Sequence, residues 1–301
     1  MSNFRHLSRK EINIDKWNQC IDKSANGLIY AKAEYLDNLA GNWDALIWDE
    51  YESVMPLTGN RKYGARYLYQ PPFCQQLGMF GDGNVDAFLT RAKELYSYAE
   101  ISLNFSNVIA ETSMHIKEVT PRQNFMLDLN TDYENIAAGY SNDLKKNLQR
   151  SRQFQLTYRE AVDAEKTISL YRHSYGPRFP YVKPRHYEGL LNFCLLFPHH
   201  YLIREAWDND QLVSAALCLK DNKRIYFIIS TTIPEGRNKE ANHFLVDQLI
   251  REFSGKKLLL DFEGSDIQGI ATFYKNFGAI SQPYPFIKWN NLRWPWRVFK
   301  K

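Results

Sequence analysis

The stretch from Lys257 to Ala279 constrains the fold more than any other part of the chain. It opens with the apolar run Leu258-Leu259-Leu260, which predicts a strand buried on both faces, as in a parallel sheet. An acidic turn, Asp261 to Gly264, follows, and the chain then restarts as a helix that Ser265 or Asp266 would cap. The apolar residues of this helix are Ile267, Ile270, Ala271, Tyr274 and Phe277. Polar groups just past the carboxyl end of such a strand are where open α/β sheets bind ligands.

Length and composition limit the possible classes of protein. At 301 residues the chain can form two domains, each with its own core. The formal net charge of +4 permits an anionic ligand but does not by itself indicate nucleic acid. The four cysteines are not closely spaced in pairs, which predicts reduced, buried thiols in a cytoplasmic protein; they are Cys20, Cys74, Cys194 and Cys218. The first residues lack the apolar core of a signal peptide, and no stretch reaches the ~20 apolar residues of a membrane span. We expect a cytoplasmic monomer with no membrane span.

The two halves of the chain share a predicted order of elements: two helices, a three-strand meander, a helix and a strand. The meanders cover residues 43–69 and 200–229, with a turn predicted at Gly59 to Lys62 in the first. A last strand is predicted near Phe286 to Trp289. We therefore predict an α/β (α+β) protein of two tandem domains, residues 1–130 and 131–290, each with a mixed, mostly antiparallel sheet flanked by helices. A tail, residues 291–301, would pack back on the first domain.

A long helix from Tyr133 to about Arg152 is predicted between the halves. Its second part is strongly cationic, with Lys145, Lys146, Arg150 and Arg152. One interpretation is an ordinary solvated face. The other is an electrostatic surface for a polyanion, such as a coenzyme, a nucleotide-linked substrate or the acceptor stem of a tRNA.

The element order and one short motif carry a resemblance to a known family. Two helices, a three-strand meander, helix, strand, helix and strand resemble the GNAT acyltransferase fold. The segment Phe273-Tyr274-Lys275-Asn276-Phe277-Gly278 looks like that family's motif, and Gly278 stands where a helix ends in a left-handed residue. The doubled layout is similar to the FemAB-like group, as are the cationic helix, the strand ending in Ser230 and the acidic turn at Asp261 to Gly264. The resemblance implies two GNAT-like domains, the second holding the donor site.

The resemblance also implies a donor, with one departure from the family pattern. GNAT enzymes bind the pyrophosphate of acetyl-CoA at the start of a helix, through Arg or Gln, two residues, Gly, one residue, then Gly or Ala. Arg237 matches the first position, whereas Glu240 and Asn242 replace the two small residues. A helix N-terminus binds phosphate through its free N–H groups and dipole, whatever its sequence. The implied cofactor-binding residues are Ser230, Gly236, Arg237, Asn238, Lys239 and Ala241.

Four residues of the Lys257–Ala279 stretch are candidates for catalysis. Tyr274 matches the GNAT tyrosine that protonates the departing thiolate, although it could equally be a core aromatic residue. Lys275 resembles the lysine that steadies the leaving group in Fem-type enzymes, or it is a solvated lysine. Asp261 and Glu263, two residues apart on one side of a continued strand, could supply the base for an attacking amine or cap the next helix, and Glu263 is preferred for its exposure.

Substrate-side candidates lie elsewhere in the chain. Arg178 resembles a substrate-binding arginine of Fem-type loops and could hold a carboxylate or phosphate, or it is a surface residue. Tyr69 and Gln70 would line the acceptor groove. No metal is expected, because His199 and His200 are adjacent and would point opposite ways on an extended chain.

The sequence thus predicts transfer of an acyl group from a coenzyme A thioester to an amine, by direct attack without a covalent intermediate. The backbone edge near Phe227 to Ser230 would hold the donor carbonyl. The acceptor stays open among cell-wall precursor, amino sugar and polysaccharide amine. Two alternatives remain: an aminoacyl-tRNA-dependent Fem-type transferase, which would bind tRNA, and a non-catalytic binding protein of the same fold.

Overall fold

The computed structural model describes residues 4–62, 64–109, 118–264, 266–294 and 297. The strands are β1 (Phe4–Ser8), β2 (Asp44–Trp48), β3 (Ser53–Leu57), β4 (Gly59–Lys62), β5 (Ala65–Tyr69), β6 (Phe80–Gly81), β7 (Tyr98–Ser102), β8 (Glu118–Arg122), β9 (Phe125–Asp128), β10 (Thr157–Ala161), β11 (Tyr201–Asp208), β12 (Gln211–Lys220), β13 (Arg224–Thr232), β14 (Leu259–Asp261), β15 (Ile280–Ser281) and β16 (Tyr284–Asn290). The helices are α1 (Ile14–Lys23), α2 (Ala33–Leu39), α3 (Val85–Leu95), α4 (Tyr133–Ala138), α5 (Asn142–Ser151), α6 (Ala164–Tyr175), α7 (Pro184–Leu196), α8 (Pro234–Asn238), α9 (Ala241–Phe253) and α10 (Gln268–Asn276). Within these residues, no helix is long and apolar enough to cross a membrane.

The chain forms two compact units, and strand pairing places the boundary between them. The first unit comprises residues 1–122 and 283–301, and the second comprises residues 123–282. Strand β16 pairs with β7 and β8 and places Trp289 in the core of the first unit, although the sequence places this strand in the second domain. Strand β9 pairs with β14 in the second unit, although the sequence assigns it to the first domain. The predicted boundaries at 130 and 290 therefore differ from the observed ones, because long-range pairing decides which sheet a strand joins.

The first unit contains two sheets. One is antiparallel, in the order β1-β2-β3-β6, and the other runs β4-β5-β7-β16-β8 with β5 and β7 parallel. The predicted turn at Gly59–Lys62 is wrong, because these residues form β4 and pair with β5. The predicted meander is consequently divided, with β2 and β3 in one sheet and β5 in the other. Helix α1 buries Trp17, Cys20 and Ile21 on one face, as its spacing predicts.

The second unit is built on one sheet in the order β10-β11-β12-β13-β14-β9-β15. Its neighbours are antiparallel except for β13 and β14, which are parallel. The predicted meander is confirmed here as β11, β12 and β13. Helix α6 packs against β12 and β13, and helix α9 packs against the three meander strands. The mixed, mostly antiparallel α/β architecture is the predicted fold class.

The long helix predicted from Tyr133 to Arg152 is divided into α4 and α5. Gly139 follows α4, and Ser141 caps α5 by accepting a hydrogen bond from the backbone N–H of Leu144 at 3.1 Å. The backbone N–H of Ser141 donates to the carbonyl oxygen of Asn276 at 2.9 Å, and this bond ties the break to the end of α10. A helix continued through residue 141 would need that N–H for its own ladder.

The termini of α10 show one wrong prediction and one confirmed prediction. The residue before the helix is Ile267, which makes no side-chain capping bond, so Asp266 is not the cap; Ser265 lies outside the described residues. Gly278 has φ +80°, the left-handed conformation that its position predicts. A Cβ at Gly278 would lie 3.3 Å from the carbonyl oxygen of Gly139, so the same glycine also permits close approach to the break between α4 and α5.

Candidate active site in the second unit

The two parallel strands at the centre of the second unit are paired over a short distance only. Residues 224–226 of β13 lie opposite residues 259–261 of β14, where β14 ends. Strand β13 continues to Thr232, and within the described part of the chain no strand pairs with this side of residues 227–232. Because the other side of β13 pairs with β12, every second residue before Thr232 turns its backbone N–H and C=O groups to this edge, where a ligand can bond to them. The edge includes Phe227 to Ser230, where the sequence predicts the donor carbonyl.

Asp261 ties the paired ends of β13 and β14 together. Its Oδ2 lies 3.2 Å from Nη1 of Arg224, and the two side chains are only 1% and 5% exposed. The backbone N–H of Glu263 donates to its Oδ1 at 3.0 Å. Burial raises the pKa of the Asp261 carboxyl, and Arg224, the Asn124 amide and the Glu263 N–H oppose that shift. A carboxylate engaged in this way is poorly placed to collect a proton from a substrate.

Glu263 is the second carboxylate of the acidic turn, and its surroundings are different. Its backbone has φ +62°, so the chain turns at this residue, and the prediction that Asp261 and Glu263 lie on one side of a continued strand is wrong. Its Oε1 is buried and has no hydrogen-bond partner among the described residues. Burial raises the pKa of Glu263 to about 8. A half-buried carboxyl with a pKa in this range can accept a proton from an amine.

The ring of Tyr274 lies beside the turn that carries Glu263. It stacks on Phe262 with a centroid distance of 4.8 Å and packs against Phe125 at 6.0 Å. Its hydroxyl makes no hydrogen bond within the described residues. Burial raises the pKa of the phenol, and the Glu263 carboxylate raises it further. Tyr274 therefore holds its proton at neutral pH and can act only as a donor until a stronger base forms beside it.

Lys275, next to Tyr274, is exposed, and its ammonium lies 5.5 Å from the Phe125 ring. This position matches the solvated-lysine interpretation. Arg178 is also exposed, in the single turn Gly176–Arg178 after α6, and its guanidinium lies 5.4 Å from the Tyr175 ring.

Tyr171 influences the ionisation of Tyr274, and no sequence motif points to it. It lies on α6, its ring centroid is 5.4 Å from that of Tyr175, and it contributes to raising the pKa of Tyr274. Burial raises the pKa of Tyr171 itself to about 12. The rings of Tyr171 and Tyr175 form a pair on α6, and Tyr175 also contacts the Arg178 guanidinium. The i, i+4 spacing of Tyr171 and Tyr175 was a detectable signal for a shared face of α6, but nothing local shows what that face packs against.

Tyr69 and Gln70 belong to the first unit, where their polar groups are bonded. The Tyr69 hydroxyl donates to the carbonyl oxygen of Ala40. The Gln70 amide donates to the carbonyl oxygen of Cys74 at 2.6 Å and accepts from the backbone N–H of Ser102 at 2.9 Å. These bonds hold the diproline loop in place. A role for either residue in an acceptor groove stays a prediction.

The segment predicted to bind pyrophosphate links β13 to α9 and contains the short helix α8. Gly236 is required by packing, since a Cβ there would lie 2.4 Å from the carbonyl oxygen of Val213. Arg237 and Asn238 are exposed, and Lys239 forms an ion pair with Asp208. The remaining two predicted residues have structural contacts: Ser230 donates to the side-chain oxygen of Asn242 at 3.0 Å, and Ala241 is buried as the first residue of α9.

Glu240, which stands where the family signature has its first glycine, is the residue before α9. It has φ +56°, a conformation that glycine adopts freely and glutamate rarely. Its carboxylate lies 3.1 Å from Nη2 of Arg150 and 2.9 Å from Nδ1 of His243. A negative charge of the protein itself therefore lies immediately before α9, where the signature would accept a phosphate.

A shallow depression of about 690 Å³ runs along α5. It is lined by Asp143, Lys146, Asn147, Gln149, Arg150, Gln153 and Asn276. Lys146 and Arg150 are the cations of this lining, and Asp143 is its acidic residue. The described residues include no group of three or more His, Cys, Asp or Glu side chains that could hold a metal ion.

No protein-family model matches the sequence, and no curated protein matches it. Solved structures do match. FemX aligns with 98% of this chain and 99% of its own, at a TM-score of 0.66 and 12% identity. The protein named L-PGS from Bacillus licheniformis aligns over 94% of both chains, at a TM-score of 0.55 and 9% identity. A tandem GNAT protein from the clavulanic acid biosynthesis pathway aligns with 97% of this chain and 99% of its own, at a TM-score of 0.52 and 10% identity.

The chain has a tandem GNAT-like fold of the FemAB type. The predicted resemblance is therefore confirmed at the level of the fold. Identities of 9–12% carry no residue roles from these proteins to this one. Within the GNAT-like second unit, the turn after β14 and helix α10 bring Glu263 and Tyr274 together, while the start of α9 lacks the small residues of the coenzyme signature.

Proposed function

We propose that the protein is an acyltransferase that moves an acyl group from a carrier to an amine, at the edge of β13 beside Glu263 and Tyr274. The observation that carries the proposal is the Glu263 side chain. A buried carboxyl oxygen without a hydrogen-bond partner destabilises the folded protein. Destabilising groups of this kind, with shifted pKa values, occur most often at functional sites. The GNAT-like fold of FemX and of the tandem GNAT protein is consistent with this class of reaction.

The chemistry follows from the protonation states of the two residues. The lone pair of the amine attacks the carbonyl carbon of the donor, and Glu263 takes a proton from the amine. The bond to the carrier then breaks, and Tyr274 gives its proton to the departing oxygen or sulfur. Backbone N–H groups of residues 227–230 would stabilise the negative charge on the carbonyl oxygen. Direct transfer is favoured because all four cysteines are buried, and burial raises the pKa of each thiol.

The identity of the carrier depends on the start of α9 and on α5. A coenzyme A thioester is what the family resemblance implies, but its pyrophosphate would have to share the start of α9 with the Glu240 carboxylate. An aminoacyl-tRNA makes no such demand, and the depression beside Lys146 and Arg150 offers cations to its phosphates. These observations favour an aminoacyl-tRNA as the donor, with a coenzyme A thioester as the second candidate.

The test compares both donors in one assay. Purified protein is mixed with charged, radiolabelled tRNA or with labelled acetyl-CoA, together with cell-wall precursors, amino sugars and polysaccharide amines as acceptors. Label transferred from tRNA by the wild type and lost in Glu263→Gln would support the proposal in full. Transfer from acetyl-CoA alone would support acyl transfer and reassign the donor. No transfer from either donor by a folded protein that binds them would indicate a non-catalytic binding protein.

The role of α5 is tested separately by tRNA binding at several salt concentrations. We expect Lys146→Ala and Arg150→Ala each to weaken tRNA binding and to make its logarithmic salt dependence shallower by somewhat less than one unit. Lys257→Ala is the matched control, because Lys257 is an exposed lysine of the same unit outside the α5 depression. Equal effects of all three substitutions would contradict a tRNA site on α5.

A further inference from the structure

The backbone at position 240, where the coenzyme signature has a glycine, adopts a conformation that glycine adopts freely. With φ +56° it is left-handed, which costs a glutamate free energy that a glycine would not lose. Neighbouring interactions must therefore hold a glutamate in this conformation. The contacts of its carboxylate show what those interactions are.

The Glu240 carboxylate is held by side chains from two helices. Arg150 of α5 contacts its Oε1 at 3.1 Å, and His243 of α9 contacts its Oε2 through Nδ1 at 2.9 Å. The other ring nitrogen of His243 lies 3.3 Å from the Asn147 amide nitrogen, and the ring packs against Phe273 at 5.0 Å. Burial lowers the pKa of His243, so the neutral ring donates from Nδ1 to Glu240 and accepts from Asn147 at Nε2. Only about a fifth of the Glu240 side chain is exposed.

This arrangement places a negative charge at the start of α9 and pairs it with the Arg150 guanidinium, although the carboxylate accepts no bond from the backbone N–H groups of the helix. A carboxylate close to the N-terminus of a helix is stabilised by the helix dipole, as an external anion would be. It also engages Arg150, the cation nearest to it. A pyrophosphate placed at the same helix start would meet a like charge in a partly dry site, where repulsion between charges is poorly screened.

We propose that Glu240 is an internal anion that excludes pyrophosphate-bearing acyl donors from the start of α9, and so acts as a specificity-determining residue. The inference rests on the proposed function, because only a transferase has donors to distinguish. It extends that proposal by naming Glu240 as the side chain that decides which acyl donor can bind.

The experiment measures coenzyme A binding to folded protein by calorimetry and needs no acyl transfer. Glu240→Gly restores the family residue and relieves the left-handed strain, so it is expected to fold. Glu240→Gln keeps the size of the side chain and removes only its charge. Glu235→Gln is the matched control, since Glu235 is an exposed carboxylate of α8 outside the contacts with Arg150 and His243. Pantetheine, which lacks the pyrophosphate, is the control ligand.

We expect coenzyme A to bind the wild type and Glu235→Gln weakly or not at all, and to bind Glu240→Gly at least tenfold more tightly. Glu240→Gln should show a smaller gain, and pantetheine should show none with any variant. Adding Arg150→Ala to Glu240→Gly should remove most of the gain, because the freed guanidinium would then be absent. Micromolar binding to the wild type, or equal binding by the wild type and Glu240→Gly, would overturn the inference.

The two proposals can fail independently. If the inference about Glu240 is wrong, the Glu240 variants will bind coenzyme A no more tightly than the wild type. If the proposed function is wrong, the wild type will transfer label from neither donor.

Discussion

Arg224 and Asp261 form a buried ion pair, with 3.2 Å between Nη1 and Oδ2, across the only parallel strand pair of the second unit's described sheet. Arg224 begins β13 and Asp261 ends β14, so the pair lies where the two strands meet, before β13 continues past the end of β14. The role of Asp261 is therefore structural: its ion pair with Arg224 fixes the end of β14 against β13. Glu263 is left as the carboxylate that can exchange a proton.

Removing one partner of this pair should destabilise the second unit strongly. Arg224→Met leaves a buried carboxylate without its counter-charge, and we expect a loss of about 3 kcal/mol in the free energy of unfolding. The double variant Arg224→Met, Asp261→Asn should lose less than the sum of the single variants, since it removes both charges. Urea unfolding of the four proteins measures the coupling. Strictly additive losses would contradict a stabilising pair.

Glu263 should set the pH dependence of transfer. With its pKa raised to about 8 by burial, Glu263 is mostly protonated at neutral pH, so kcat/KM should rise with pH up to about 8 and then level off. The Glu263→Gln variant should show no such rise, and its transfer rate should be about 10²–10⁴-fold lower. The acceptor amine has its own ionisation, which should remain visible in the variant. If kcat/KM of the Glu263→Gln variant still rises near pH 8, the rise belongs to another ionising group.

The same carboxyl should also make stability depend on pH. The ordinary pKa of 4.5 applies in the unfolded chain, so between about 4.5 and 8 the folded protein binds the proton more tightly. Stability is then highest below 4.5, falls as pH rises through this range, and is constant above it. Glu263→Gln should remove the fall and stabilise the protein at pH 9 by roughly 2 kcal/mol, less than full linkage because the side chain is only half-buried. Thermal unfolding of both proteins at pH 5 and pH 9 would reveal the difference, and an equal shift at both values would contradict it.

Tyr274→Phe should separate the catalytic role of Tyr274 from its packing. The phenylalanine keeps the stack on Phe262, and the lost hydroxyl has no partner within the described residues, so the unfolding free energy should change by less than about 0.5 kcal/mol. Transfer should fall about 10²-fold because the leaving group loses its acid. Tyr133→Phe is the matched control: its hydroxyl donates to Asp247 at 2.6 Å, so it should lose about 1 kcal/mol of stability and keep its activity. Full activity in Tyr274→Phe would return Tyr274 to a purely structural role.

Gly278→Ala should test the junction between α10 and the break after α4. The left-handed φ of +80° and the 3.3 Å approach to the carbonyl oxygen of Gly139 both oppose a Cβ. We expect a loss of about 2 kcal/mol in unfolding free energy. Gly269→Ala, in the first turn of the same helix and with no atom within 4 Å of its added Cβ, should be neutral or stabilising. Equal effects of the two substitutions would show that the conformation at Gly278 is not required.

Local patterns in the sequence determined much of the fold. The buried face of α1 and the left-handed Gly278 follow from helical spacing and from residues that favour particular backbone angles. The strand, turn and helix of the Lys257–Ala279 stretch follow from a continuous apolar run, an acidic turn and apolar residues at helical spacing. These signals are local, and a single sequence contains them.

The tertiary structure decided which of the candidate residues meet. Asp261 and Glu263 are both acidic residues of one turn, and only the packing around them buries one against Arg224 and leaves the other unpartnered. The ring of Tyr274 stacks on Phe262 and packs against Phe125, which lies about 150 residues earlier in the chain, and β16 joins the sheet of the first unit instead of the second. The charge of Glu240 is plain in the sequence, but its contacts with Arg150 and His243 depend on how α5 and α9 pack. Such contacts arise from long-range packing energy, which spacing along the chain does not encode.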